Sequence, residues 1–191
     1  MRTSKVTIRQ AEKQDAEVIA QVVAMAIGDE QALHDYCGKE YHAVLTEVVL
    51  ADKTQYSWHN ALIAEVDGVA AGAIVGYDGA LLGSLREGTF EVVRKYTDST
   101  PSIPDETEAG EFYLDSVATL PSFRGQGIGR ALIKALCDKA FALGHQHVGL
   151  IVDVDNPRAE RLYTSLGFER VGSRLFFGHQ MWHLQSSKYK L

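Results

Sequence analysis

The chain has 191 residues, of which 46% are hydrophobic, and its formal net charge at pH 7 is -6. This length and composition predict one well-buried core, so residues 1–191 are interpreted as a single domain. An acidic chain without a long Lys/Arg run does not suit a phosphate backbone, which excludes nucleic acid as the main ligand. No segment approaches the roughly 18 apolar residues of a membrane span, so no membrane partner is expected.

The cysteines and the first residues of the chain indicate the cellular compartment. Only Cys37 and Cys137 occur, and the second lies in a helix-like apolar pattern, so no disulfide framework is expected. The opening residues Met1–Lys5 lead directly into a strand pattern, without a signal-peptide profile. The sequence therefore predicts a cytoplasmic location.

The first half of the chain alternates between strand and helix patterns. Asp67 and Gly68 form a two-residue hairpin signal between two apolar runs. The predicted elements in chain order are a strand at Val6–Arg9, a helix from Asp15 to Ile27, a helix near Glu40–Ala51, and strands at Ala61–Val66 and Val69–Tyr77.

The second half predicts a helix, a long polar loop and a further set of alternating elements. The helix over residues 80–97 is predicted despite Gly83 and Gly88, because its leucines, valines and phenylalanine recur without proline. The other predicted elements are a loop at Thr97–Gly110, strands at Glu111–Thr119 and His147–Val152, a helix at Gly127–Leu143, a helix from Asn156 to Gly167, and strands at Phe168–Phe176 and His179–Leu184.

A glycine-rich segment, Arg124-Gly125-Gln126-Gly127-Ile128-Gly129, lies between a predicted strand and a long helix. Free backbone N–H groups and the positive end of the helix converge there, which predicts an anion site. The alternative is that the glycines only allow helix and strand to pack closely. The segment lacks the Lys-Ser/Thr of a P-loop and is one residue too short for the dinucleotide fingerprint.

Two motifs together resemble the GNAT superfamily of N-acetyltransferases. The first is LDSVATLPSFRGQGIGRAL at residues 114–132, and the second is Asn156-x-x-Ala159-x-x-Leu162-Tyr163-x-x-x-Gly167-Phe168. The close match covers residues 111–168, which would hold the cofactor motifs. Residues 28–110 match weakly, and about thirty residues intervene where the family usually has a short turn between its third and fourth strands.

The resemblance implies an α/β (α+β) fold. It has a central mixed, mostly antiparallel sheet of about seven strands, flanked by helices and splayed between the fourth and fifth strands. The pantetheine arm of acetyl-CoA would lie in that gap and pair with free backbone groups. The insertion at about residues 78–110 is interpreted as a helical segment that forms one wall of an acceptor pocket.

The resemblance also implies which positions bind acetyl-CoA as co-substrate. Val117, Ala118 and Thr119 would offer backbone to the pantetheine arm, Asn156 would hold the arm near the fifth strand, and the glycine loop would bind the pyrophosphate. The implied loop positions are Arg124, Gly125, Gln126, Gly127, Ile128, Gly129 and Arg130.

Three residues are candidates for catalysis by direct attack of an amine on the thioester. Tyr163 occupies the position of the family's usual acid, and the alternative is a core aromatic. Glu111 matches a base used by some members, and the alternative is a solvated carboxylate at a strand end. Asp115 is a second candidate base because alternation puts it on one face with Tyr113 and Val117. The oxyanion donor would be an N–H near a bulge at Asp115 to Val117.

These residues favour an enzyme that acetylates a primary amine of a small molecule or peptide. A non-catalytic acyl-CoA-binding sensor and a nucleotide-phosphate site without CoA remain alternatives. The His145-x-His147 and His179-x-x-x-His183 pairs lack the partners of a zinc site, so no metal is expected. The sequence leaves the oligomeric state open, and a homodimer is one option.

Overall fold

The computed structural model describes residues 5–98 and 101–188. The strands are β1 (Val6–Gln10), β2 (Ala61–Val66), β3 (Val69–Asp78), β4 (Phe112–Thr119), β5 (His147–Asp153), β6 (Glu169–Phe176) and β7 (His179–Ser187). The helices are α1 (Ala16–Ile27), α2 (Glu30–Cys37), α3 (Tyr41–Leu50), α4 (Leu82–Val93), α5 (Ile128–Ala142) and α6 (Pro157–Thr164).

The seven strands of the described residues join one sheet in the order β1-β2-β3-β4-β5-β7-β6. Every neighbouring pair is antiparallel except β4 and β5, which run parallel. The turn between β2 and β3 has positive φ at Asp67 (50°) and Gly68 (82°), as a tight hairpin turn requires. The expected α/β fold with a mixed, mostly antiparallel sheet is therefore confirmed.

Two hydrophobic layers cover the two faces of the sheet. On one face, buried side chains of α1, α2, α3 and α4 pack on β2 and β3. On the other face, α5 buries Leu132, Ile133 and Leu136 against strands β2 to β5. Because the glycine loop connects the end of β4 at Thr119 to the beginning of α5 at Ile128, this layer fixes the position of the loop at the edge of the gap beyond β4.

The predicted elements agree with the structure within a few residues, with one omission. Helix α2 was not predicted, because it spans only eight residues and buries only Leu33, Tyr36 and Cys37, too few for a clear period. Asp29, whose side chain caps the helix by accepting from the Ala32 N–H at 2.7 Å, is the local signal that could have indicated it. The predicted loop at 97–110 has no regular element where described, and residues 99–100 lie outside the described residues.

Helix α4 is the helical part of the expected insertion, and it ends at Val93 rather than at residue 97. One of its glycines is required by the close packing of the helix. A Cβ atom at Gly88 would lie 1.9 Å from the carbonyl oxygen of Lys53, so only glycine allows the helix to lie against this segment. A Cβ at Gly83 would meet nothing within 4 Å.

Two further expectations concern cysteine and the membrane. Cys37 and Cys137 are both buried and unpaired, as expected. Among the described residues, no helix combines the length and apolar character that crossing a bilayer requires.

Candidate functional site

The parallel strands β4 and β5 pair only at their beginnings. The register contains two pairs, Phe112 with Val148 and Tyr113 with Gly149. Beyond them β4 continues to Thr119 beside β3, and β5 continues to Asp153 beside β7. The backbone edge of β4 that faces β5 is therefore without a strand partner from residue 114 onward, within the described chain. This is the splay that the resemblance implies, and it contains Val117, Ala118 and Thr119.

A β-bulge interrupts β4 at the edge of this gap. Val75 pairs with Ser116 and Gly76 pairs with Leu114, so Asp115 is an extra residue in β4. Asp115 lies on the face of Tyr77 and Tyr113, as alternation requires, whereas Val117, beyond the bulge, packs on the α5 layer. The expectation that Asp115 shares a face with Val117 is wrong, because a bulge breaks the alternation of side chains along a strand.

The glycine loop presents a set of free backbone donors. Gly125 and Gly127 have φ of 80° and 75°, and a Cβ at either would meet nothing within 4 Å. In the described chain, no carbonyl or side chain accepts from the six N–H groups of residues 125–130; the first bonded amide is that of Ala131, which donates to Gly127. An open cradle of amides at a helix N-terminus is suited to a pyrophosphate.

The other positions implied for the cofactor border the same gap. The Arg130 guanidinium donates to the Ser165 hydroxyl at 2.8 Å, which joins the beginning of α5 to the end of α6. The Asn156 Oδ1 accepts from the Ala159 N–H at 3.1 Å, so one half of this amide caps α6. Arg124 is exposed beside the glycines. The free amides of the glycine loop thus fit the pyrophosphate of CoA, and the free edge of β4 fits its pantetheine arm.

Tyr163 lies on α6, partly exposed, with its ring packed edge-on against Phe168 at 5.9 Å between centroids. Burial raises the pKa of Tyr163 to about 12, which keeps the phenol protonated at neutral pH. No described residue hydrogen-bonds to this hydroxyl. Its position near Tyr113, whose pKa it helps to raise, places it close to the point where β4 and β5 separate.

Glu111 lies immediately before β4 and is 1% exposed, so it is not a solvated strand-end carboxylate. Its Oε1 accepts from the Thr107 hydroxyl at 2.6 Å, and its Oε2 accepts from Gln185 at 2.7 Å and contacts the His183 Nε2 at 2.8 Å. Burial opposes ionisation of Glu111, but the hydrogen bonds from His183, Thr107 and Gln185 outweigh it and lower the pKa.

A buried polar chain that sequence reasoning missed leads away from Asp115. Asp115 accepts from the Ser116 hydroxyl at 2.8 Å and from the Tyr77 hydroxyl at 2.8 Å. The Gln55 Nε2 in turn donates to the Tyr77 oxygen and to Glu106 Oε1, each at 3.2 Å. The four side chains Gln55, Tyr77, Glu106 and Asp115 are called the polar cluster below. Only Asp115 among them is part of a recognised motif, which is why the others were not singled out.

Helix α4 holds the polar cluster in place from two sides. Its Arg86 ion-pairs with Glu106 and with Asp105 (2.7 Å), and it also donates to the carbonyl oxygens of Ile103 and Pro104. Its buried Thr89 hydroxyl accepts from the Gln55 N–H at 3.1 Å. The insertion therefore fixes the positions of both Glu106 and Gln55.

Each histidine of the second pair contacts one carboxylate. His183 contacts Glu111, and His179 lies 3.1 Å from Asp153. In residues 5–98 and 101–188, no group of three or more His, Cys, Asp or Glu side chains is arranged to hold a metal ion.

The sequence matches the model of the Acetyltransferase (GNAT) family over residues 29–168, which is more than half of the chain. The chain therefore belongs to the GNAT acetyltransferase family. A solved structure described as an acetyltransferase is similar with a TM-score of 0.82 and 33% identity, over 95% of this chain and 98% of that one. Its fold is thus the same along nearly the whole length.

Two curated relatives are similar over shorter stretches. N-alpha-acetyltransferase RimI of Mycobacterium tuberculosis is 44% identical over 64 residues, which are 34% of this chain and 39% of that protein. Mycothiol acetyltransferase of Kocuria rhizophila is 41% identical over 75 residues, which are 39% of this chain and 24% of that protein. The matches thus span well under half of these relatives.

Proposed function

We propose that this protein transfers the acetyl group of acetyl-CoA to a primary amine of a small molecule or peptide. The observation that carries the proposal is the open cradle of six free amides at residues 125–130, next to the unpaired edge of β4. Family membership and the names of the relatives, which act as acetyltransferases, support the same reaction.

CoA binding is assigned to the glycine loop and to the free edge of β4. The amides of the glycine loop would bind the pyrophosphate, with several charge-assisted hydrogen bonds of about 1.5–3 kcal/mol each. The backbone of Val117, Ala118 and Thr119 would pair with the amides of the pantetheine arm, as an added strand does. Asn156 retains its amide nitrogen for the arm, since its oxygen caps α6.

The proposed chemistry is direct acyl transfer. The neutral amine nitrogen forms a bond to the thioester carbon, the carbon–sulfur bond breaks, and the departing sulfur takes a proton from the Tyr163 hydroxyl. The proton that the nitrogen loses on becoming an amide restores the Tyr163 hydroxyl. A free N–H at the Asp115 bulge would stabilise the oxyanion. Glu111 is assigned a structural role, because the hydrogen bonds from three side chains lower its pKa and make it a weak proton acceptor at neutral pH.

A non-catalytic acyl-CoA sensor would have the same loop and gap. The partly exposed Tyr163 hydroxyl, which no described residue binds, favours the enzyme over the sensor. A sensor has no need for a protonated phenol at this position.

The test is release of free thiol from acetyl-CoA across a panel of small amines, polyamines and peptides, with Tyr163→Phe measured in parallel. We expect acceptor-dependent release by the native protein and a loss of about 100-fold in turnover for Tyr163→Phe, with CoA affinity retained. Thiol release by neither protein, with CoA still bound, would instead support the sensor.

A further inference from the structure

The polar cluster contains a buried oxygen without a donor. Gln55 is 2% exposed, and its Nε2 is used by Tyr77 and Glu106, but its Oε1 has no hydrogen-bond partner in the described chain. A buried carbonyl oxygen left unpaired costs about 1–3 kcal/mol. This oxygen belongs to the same amide that joins Glu106 to Tyr77, so the missing donor would sit within the polar cluster.

The charges around this oxygen indicate what kind of donor is missing. Glu106 and Asp115 are two carboxylates within one buried region, and among the described residues Arg86 is the only cation beside them. Both Nη atoms of Arg86 are already engaged by Glu106, Asp105 and two carbonyl oxygens. The groups that face Glu106 are Arg86 from α4, Asp105 from its own loop, Asp115 and Tyr113 from β4, Tyr77 from β3, Gln55 and Tyr56 from the segment before β2, and Tyr36 from α2.

We propose that the polar cluster binds the reacting ammonium group of the acceptor and that Glu106 removes its proton. This inference rests on the proposed function, because it assigns the acceptor side of the same site. An ammonium group has three N–H donors, which match Gln55 Oε1, the remaining lone pair of Glu106 Oε1 and the carboxylate of Asp115. One N–H bond breaks, its electron pair stays on nitrogen, and the proton forms an O–H bond on Glu106.

The ionisation of Glu106 is consistent with this role. Burial, and next the nearby charge of Asp115, raise its pKa to about 7, although Arg86 opposes the shift. A carboxyl group with a pKa near neutral is suited to accept a proton at physiological pH. A bound ammonium would lower that pKa, so amine binding and ionisation of Glu106 support each other.

The same charges define a class of acceptor. A carboxylate next to the reacting nitrogen would add a third negative charge beside Glu106 and Asp115, whereas the charge of Arg86 is already paired with Glu106 and Asp105. We therefore expect primary amines and peptide N-termini to be acetylated, and free α-amino acids to be rejected.

The first experiment measures binding without turnover. Thermal unfolding of the CoA-bound protein is followed in ethylammonium chloride and in sodium chloride of equal ionic strength. We expect ethylammonium to raise the Tm of the native protein and of Glu108→Gln, an exposed carboxylate in the same loop, but not that of Glu106→Gln. An equal rise in all three proteins, or no rise in any, would overturn the proposal.

The second experiment uses the acceptor found by thiol release. We expect kcat/KM of the native protein to increase with pH through an apparent pKa near 7, and Glu106→Gln to lose this dependence and about 100-fold of kcat/KM. Glu108→Gln should behave as the native protein. The native protein should acetylate phenylalaninamide with a higher kcat/KM than phenylalanine. Retained pH dependence in Glu106→Gln would refute the proton transfer. If no amine supports release, the proposed function fails, while the ethylammonium result still decides whether the polar cluster binds ammonium.

Discussion

At the scale of single residues, Glu111 joins three strands at the closed end of the gap. It precedes β4, it is bound by His183 and Gln185 of β7, and its carboxylate lies over Gly149 of β5. A Cβ atom at Gly149 would lie 1.8 Å from the Glu111 Oε2, so glycine is required for the carboxylate to fit. Glu111 thus holds the beginnings of β4 and β5 together, whereas the later residues of the two strands diverge.

We predict that Glu111→Gln lowers the free energy of unfolding by about 3 kcal/mol at pH 7, because an amide replaces the acceptor of buried donors. The folded-state pKa of Glu111 is lowered, so its contribution is present above the unfolded pKa and is lost as pH falls through the folded value. The difference between the two proteins should therefore narrow below about pH 4.3. Urea unfolding from pH 7 to pH 3 measures this, with Glu108→Gln as an exposed control; a constant difference down to pH 3 contradicts the assignment.

At the scale of elements, α4 is a support for the polar cluster as well as a cover for the core. It buries Phe90, Val92 and Val93 in the layer formed by α1, α2 and α3. Its Arg86 and Thr89 hold the segments that carry Glu106 and Gln55. Replacing the whole insertion by a short turn would therefore expose core side chains, and point changes are the better test of its role.

We predict that Gly88→Ala destabilises the protein by about 2 kcal/mol or more, because its Cβ would collide with the Lys53 carbonyl and push α4 away. Gly83→Ala in the same helix meets open space, and it should leave stability unchanged or raise it by up to about 1 kcal/mol. Unfolding in urea compares the two variants. Equal stability of Gly88→Ala and Gly83→Ala would show that the close approach is not required.

At the scale of the whole molecule, CoA binding should stabilise the fold, because the ligand joins β4, α5 and the β5 side of the gap. A ligand that binds only the folded state adds about 2.7 kcal/mol at one hundred times its Kd. We expect CoA to raise the Tm of the native protein but not that of Gly127→Asp, whose carboxylate would occupy the anion site. Gly178→Asp is the matched control, since Gly178 has a similar φ of 79° and open space in the β6–β7 turn. A CoA-dependent rise in Gly127→Asp would refute the pyrophosphate assignment.

The sequence by itself determined the elements and the family. Local signals, such as Asp67-Gly68, the cap at Asn156 and the apolar period of α5, act over a few residues and were readable without the fold. The glycine loop was readable for the same reason, since its function depends on consecutive backbone amides. Helix α2 was missed because a short helix with three buried residues is specified mainly by what it packs against.

Only the tertiary structure decided the surroundings of the reacting groups. Gln55, Tyr77, Glu106 and Asp115 come from four separate segments of the chain, and their hydrogen bonds depend on α4, the loop before β4 and the bulge at Asp115. The burial of Glu111 likewise depends on β7, which is more than seventy residues away. Burial and the proximity of charges set pKa values, and neither is encoded by residue type or by local spacing.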